Sequence, residues 1–126
     1  MTTAIIRLTP GVRRVKAAEV GSEGGFVAPV DEVVEVLGFR SMRVTLRVVD
    51  FEGVTGPTVL AMSMLTGMDL NEPGSFTSVG SFEYVTTAPA FIHRVCTDLQ
   101  RYVRWRVIGL MGADAVSFVI EGVAYE

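Results

Sequence analysis

The chain has one histidine and one cysteine, His93 and Cys96, three residues apart. An H-x-x-C pair supplies two ligands, whereas a structural zinc takes four. No second pair exists, so no metal site is expected and His93 reads as a satisfied or exposed ring. A Cys–His nucleophile needs a third orienting group, a lowered thiol pKa and an oxyanion site, and none is signalled. Cys96 lies in an apolar stretch and reads as a small core residue. Standing alone, it excludes an internal disulfide. Asp69, Asn71 and Glu72 crowd one loop, but Leu70 and Pro73 interrupt the polar run and the EF-hand spacing is absent. That segment reads as a solvated turn. Asp50 and Glu52 can project from one strand end, and paired acids of a glycosidase come from distant strands, so sequence does not exclude them. No nucleophile elbow, phosphate-cradling loop or dinucleotide fingerprint is present. The expectation is a chain without catalytic residues and without a cofactor.

The cations are ten arginines and a single lysine, Lys16. A GC-rich genome is the plain cause; forked guanidinium contacts suited to interfaces are the functional one. Tyr102, Arg104 and Arg106 alternate along one strand and should face one way, and Arg43 and Arg47 form a second row. Outward rows of this kind make an Arg–Tyr surface of a type enriched in protein interfaces, or an ordinary solvated face balanced by Glu83 and Glu121. The N-terminal segment carries Arg7, Arg13, Arg14 and Lys16 before its first acid, Glu19. It reads as an arm reaching a neighbouring subunit, or equally as an edge strand. Arg13, Arg14, Arg43, Arg47, Tyr102, Arg104 and Arg106 are thus the candidate interface residues. Trp105 points opposite to the arginines and reads as a core anchor, the alternative being an exposed sugar-stacking platform. Met62, Met64 and Met68 read as flexible fillers of a core or interface.

The elements that must position these groups follow from period-two alternation broken by Gly, Pro, Asn and Asp. Strands are expected at residues 4–9, 12–16, 26–30, 33–37, 41–51, 58–66, 76–85, 101–110 and 115–125. Residues 17–25 and 67–75 read as loops. In 41–51, Met42, Val44, Leu46 and Val48 should face a core while Arg43, Thr45, Arg47 and Phe51 face away. Residues 58–66 are expected to return as the hairpin partner of 41–51, and 101–125 to form a final hairpin and the most stable part. Residues 90–100 fit helical spacing about as well as a strand and are read as strand and loop. Strands every 8–12 residues without a convincing helix predict an all-β protein, an antiparallel, jelly-roll-like β-sandwich of about eight strands. Residues 1–25 would be the arm and glycine-rich loop, and 26–126 the sandwich, within one structural domain.

Of the 126 residues, 49% are hydrophobic and 20% charged, which excludes disorder. Mean hydropathy is +0.42, high for a domain that hides only about two-thirds of its unfolded surface. A partner surface is the simplest cover for the excess, so a homo-oligomer or assembly subunit is expected. A net charge of −3 gives no general attraction to nucleic acid or acidic membranes. No secretory signal and no spanning run are visible, so the protein is expected to stay where it is made.

Residues 40–125 carry the run RVTLRVVDFEG, then PTVLAMSMLTGMD, GSFTSVGSF, LQRYVRWRVIG and SFVIEGVAY. Thr66 to Asp69, Phe76 to Phe82 and Arg101 to Val107 resemble a pattern in small β-sandwich structural proteins of phage and prophage virions. The resemblance covers two-thirds of the chain and rests on strand patterns. It implies a head decoration, minor capsid or tail component in a virion or cytoplasmic assembly, packed against its own copies and a shell, capsid or tail protein. Carbohydrate-binding β-sandwich modules share such rhythms and are the alternative. Residues 1–39 match no pattern of this kind.

Overall fold

Alternating apolar residues have one stable use: two strand layers that bury their apolar faces against each other. A computed structural model describes residues 3–21 and 25–126 and shows this arrangement. The strands are β1 (Thr3–Arg7), β2 (Arg13–Lys16), β3 (Phe26–Val27), β4 (Val34–Glu35), β5 (Ser41–Glu52), β6 (Val59–Gly67), β7 (Thr77–Ser81), β8 (Ala90–Cys96), β9 (Tyr102–Met111) and β10 (Ala115–Tyr125). Sheet A runs β1–β10–β5–β8, with β2 beside β1 on the same edge of β10. Sheet B runs β3–β9–β6–β7, with β4 beside β3 on β9. All pairings are antiparallel. Because β1 with β2, and β3 with β4, share one edge position each, the strands fill eight positions in the order of a jelly roll.

The core lies between the sheets. Met42, Val44, Leu46 and Val48 of β5 and Phe118 and Ile120 of β10 face Met62, Met64, Val103, Trp105 and Val107. Trp105 stacks on Phe26, ring centres 5.8 Å apart, and meets Phe118 edge-on at 5.2 Å. The expected inward faces of β5 and β9 are therefore the observed ones.

Chain neighbours do not pair as expected. Residues 58–66 do not form a hairpin with 41–51, because β5 lies in sheet A and β6 in sheet B. Nor is 101–125 a hairpin, since β9 and β10 also lie in opposite sheets. Alternation states which face of a strand is buried, and two apolar faces meet as well across a core as side by side. Among the described residues, the local hairpin is β6–β7. Phe51 is a second correction. The register passes from Val48 opposite Phe118 to Asp50 opposite Ser117, leaving Val49 as a bulge. The extra residue turns Phe51 to the core side, opposite Val116.

Smaller differences are local. Within the expected loop 17–25, Ala17–Val20 is one helical turn, α1, closed by the Glu19 carboxylate accepting from the Lys16 N–H at 3.0 Å. Residues 22–24 of that loop and residues 1–2 of the arm lie outside the described residues. Val30–Glu32 is a 3₁₀ turn, and β4 is shorter than expected. Residues 90–96 are strand and the following residues loop, so helical spacing there was coincidental.

Candidate functional site

The groups with chemical potential are kept apart. His93 is exposed on the outer face of β8, whereas Cys96, an odd number of residues away, is buried in the core. Burial pushes the Cys96 thiol up to about 11, against the activation a nucleophile requires. The His93 ring is hydrogen-bonded through Nδ1 to Thr45 Oγ1 at 2.9 Å. Asp69 accepts from the Asn71 N–H at 2.9 Å, and Ser75 donates to the Glu72 carbonyl at 2.7 Å, so the acidic loop closes on itself. Glu52 takes Arg14 as an ion pair at 2.6 Å, with Asp50 one residue before the half-buried Phe51. Among the described residues no three His, Cys, Asp or Glu side chains gather as a metal site.

The seven candidate interface residues fall into separate places. Arg13 faces inward at the rim of the sandwich, its guanidinium 5.6 Å from the Phe26 ring centre and 5.8 Å from that of Trp105. It pairs with Glu32 at 3.5 Å. Burial raises the Glu32 pKa, and Arg13 opposes that shift. Arg14 points outward, and its contact with Glu52 raises its own pKa. The N-terminal segment is thus an edge of sheet A, through β1 and β2 on β10.

On the outer face of sheet B, the Tyr102–Arg104–Arg106 row is not a free surface. Arg104 is only 9% exposed. Its Nη2 donates to the Ala28 carbonyl, and its guanidinium lies 5.1 Å from the Phe76 ring centre. Desolvation lowers its pKa. Phe76 reaches this position because Gly67 leaves room: a Cβ there would stand 2.9 Å from the ring. Tyr102 and Arg106 are half-buried. Arg104 is covered because Ala28 and Phe76, distant in sequence, are brought against it, while Arg104 and Arg106 line a depression with Val27, Val30 and Leu65.

Arg43 and Arg47 do sit on an open face. Strand register on sheet A places Ile5, Val123, Arg43 and Val95 in one row, then Arg7, Glu121, Thr45 and His93, then Val119, Arg47 and Phe91. Ile5 is 83% exposed, Phe91 65% and Val95 60%. A depression of about 420 Å³ lies over Thr45, His93 and Glu121, and it continues past Arg47 and Phe91 toward Pro89. Among the described residues neither arginine makes an ion pair. Sequence reading found Arg43 and Arg47 and missed Ile5, Phe91 and Val95. The signal was the outward alternation Phe91–His93–Val95, masked by Ile92 and Leu99, which mimic a helical stripe.

No family model matches the chain, and no curated protein matches it. Among solved structures, the K1 cleaved adhesin domain of Lys-gingipain (Kgp) from Porphyromonas gingivalis W83 is similar, with a TM-score of 0.56 at 9% identity. The match covers 100% of this chain and 99% of that one. The K2 cleaved adhesin domain of the same Lys-gingipain gives a TM-score of 0.49 at 13% identity, over 94% and 88% of the two chains. The first likeness fixes the β-sandwich fold.

Proposed function

We propose that the chain is a non-enzymatic structural subunit of a protein assembly, acting through protein–protein contacts on the outer face of sheet A. The observation that carries this reading is the exposure of Ile5, Phe91 and Val95 on one face, beside Arg43 and Arg47, which make no ion pair among the described residues. Phe91 and Val95 lie on one edge strand beside Arg47 and Arg43, with Ile5 across the sheet in the row of Val95, and arginine is favoured where contacts are desolvated. A phage-like virion is the assembly that the strand patterns of residues 40–125 resemble, with a shell, capsid or tail protein as partner beside further copies of the chain. The fold likeness adds that a domain reported as an adhesin uses this architecture. The sugar-binding alternative loses Trp105 from its platform, because that side chain is fully buried, and would have to rest on Tyr84, which is 72% exposed, and the half-buried Tyr102.

Light scattering after size-exclusion chromatography tests the reading. It expects the purified chain to associate as concentration rises, and Phe91→Lys with Val95→Lys, both at exposed positions, to weaken that association while leaving the fold intact. A wild-type chain that stays monomeric from micromolar to millimolar concentration overturns it.

A further inference from the structure

We infer that β8 is the association edge: it pairs antiparallel with β8 of a second copy, about a two-fold axis through His93, joining two A sheets. This rests on the assembly reading above and names its contact. The first support is which backbone groups face outward. The Leu8 N–H donates to the Ile120 carbonyl, and the Arg40 N–H donates to the Tyr125 carbonyl. Even positions of this part of β10 therefore face β1, and odd positions face β5. Glu121 lies opposite Thr45, so the Thr45 backbone turns toward β10 and away from β8. Its partner on β8 is His93. In an antiparallel ladder this is a pair without mutual backbone bonds, so His93, Phe91 and Val95 aim their N–H and C=O groups off the sheet. The close approach of side chains in such pairs agrees with the 2.9 Å contact between Thr45 and His93. Among the described residues, no backbone bond outside the strand ladders uses residues 90–96, and the ladder of β8 is with β5 alone.

The second support is self-complementarity. Pairing about His93 sets Phe91 against Val95 of the second copy, and Val95 against its Phe91, each pair exchanging both backbone bonds. Aromatic with β-branched is a favourable cross-strand pair. Each apolar pair would be flanked by Arg47 of one copy and Arg43 of the other, three strand spacings or about 14 Å apart. That exceeds the screening length of about 8 Å at physiological salt. The third support is that the other edges are blunted. The opposite edge of sheet A is broken at Pro10-Gly11, one edge of sheet B consists of two-residue strands, and β7 meets a register shift. The β8 run AFIHRVC has no proline, lysine or bulge; its one charged residue, Arg94, has the parity of Ile92 and Cys96 and lies against Gly80.

His93→Pro tests the parity directly, because it removes an outward N–H that β5 does not use. The expected result is a folded protein whose self-association in sedimentation velocity weakens at least about tenfold, or 1.4 kcal/mol. Arg94→Pro, one residue on, should instead damage the fold, since its N–H serves β5. His93→Cys should oxidise to a covalent dimer, as paired residues in such a ladder fall within disulfide reach, whereas Arg43→Cys should not. An oligomer that persists in His93→Pro, with no covalent dimer from His93→Cys, overturns this edge and leaves the assembly reading standing. A wild-type monomer at every concentration overturns both.

Discussion

Replacing Trp105 by alanine separates a core anchor from a ligand platform. The side chain is fully buried, stacked on Phe26, edge-on to Phe118 and capped by the Arg13 guanidinium. Removing a buried aromatic of this size costs about 3–5 kcal/mol. The two ring pairs place the loss at the upper end, about 5 kcal/mol. Against a typical total of roughly 5–15 kcal/mol, that takes a large share of the stability. At about 4 °C per kcal/mol, the melting temperature should fall by about 20 °C. Trp105→Phe should cost far less, about 1–2 kcal/mol. It keeps a ring against Phe26 and also removes an indole N–H that has no protein partner. Urea unfolding followed by far-ultraviolet circular dichroism gives both numbers. A Trp105→Ala protein that melts within about 2 °C of wild type would refute the reasoning, because no fully buried anchor can be so cheap to remove.

Other outcomes follow from the same structure. Gly67→Ala should destabilise the protein by about 1–3 kcal/mol in thermal melts, because the new methyl displaces Phe76 from the outer face of sheet B. Arg104→Ala should cost about 1.5–3 kcal/mol by losing its bond to the Ala28 carbonyl. It should leave self-association unchanged when both proteins are sized at equal concentration. Cys96 should be alkylated at least about a hundredfold more slowly in the folded protein than in urea, since burial holds its thiol near 11. The folded-state value lies above the unfolded one, so the contribution of this thiol to stability is full below about pH 9 and fades toward about pH 11. Denaturant midpoints measured across that range check it.

The sequence carried the faces of strands well and their neighbours poorly. Met42, Val44, Leu46 and Val48 lie inward as their spacing requires, and so do Val103, Trp105 and Val107. Alternation also revealed the sandwich class. It could not say that β5 and β6 face each other across the core, because both arrangements bury the same residues. The bulge at Val49 has no signature in β5 itself; it exists only in register with Ser117 and Phe118. At the candidate site, Arg43 and Arg47 were legible because their strand lies in the middle of an uncovered sheet. Arg104 looked equivalent in its strand, yet its cover comes from Ala28 and Phe76, which only the folded chain brings together. Phe91 and Val95 were hidden for a different reason. An apolar residue facing water reads as core until the layers are known.

Sedimentation equilibrium of the wild-type chain beside Phe91→Lys tests the central claim most directly. Phe91 is exposed, so lysine there should leave the fold intact while placing a charge in the contact face. The account predicts a wild-type mass that rises above that of one chain with concentration, and a folded Phe91→Lys protein that stays at the mass of one chain. A wild type that remains a single chain throughout, or an assembly equally stable with lysine at position 91, would contradict it.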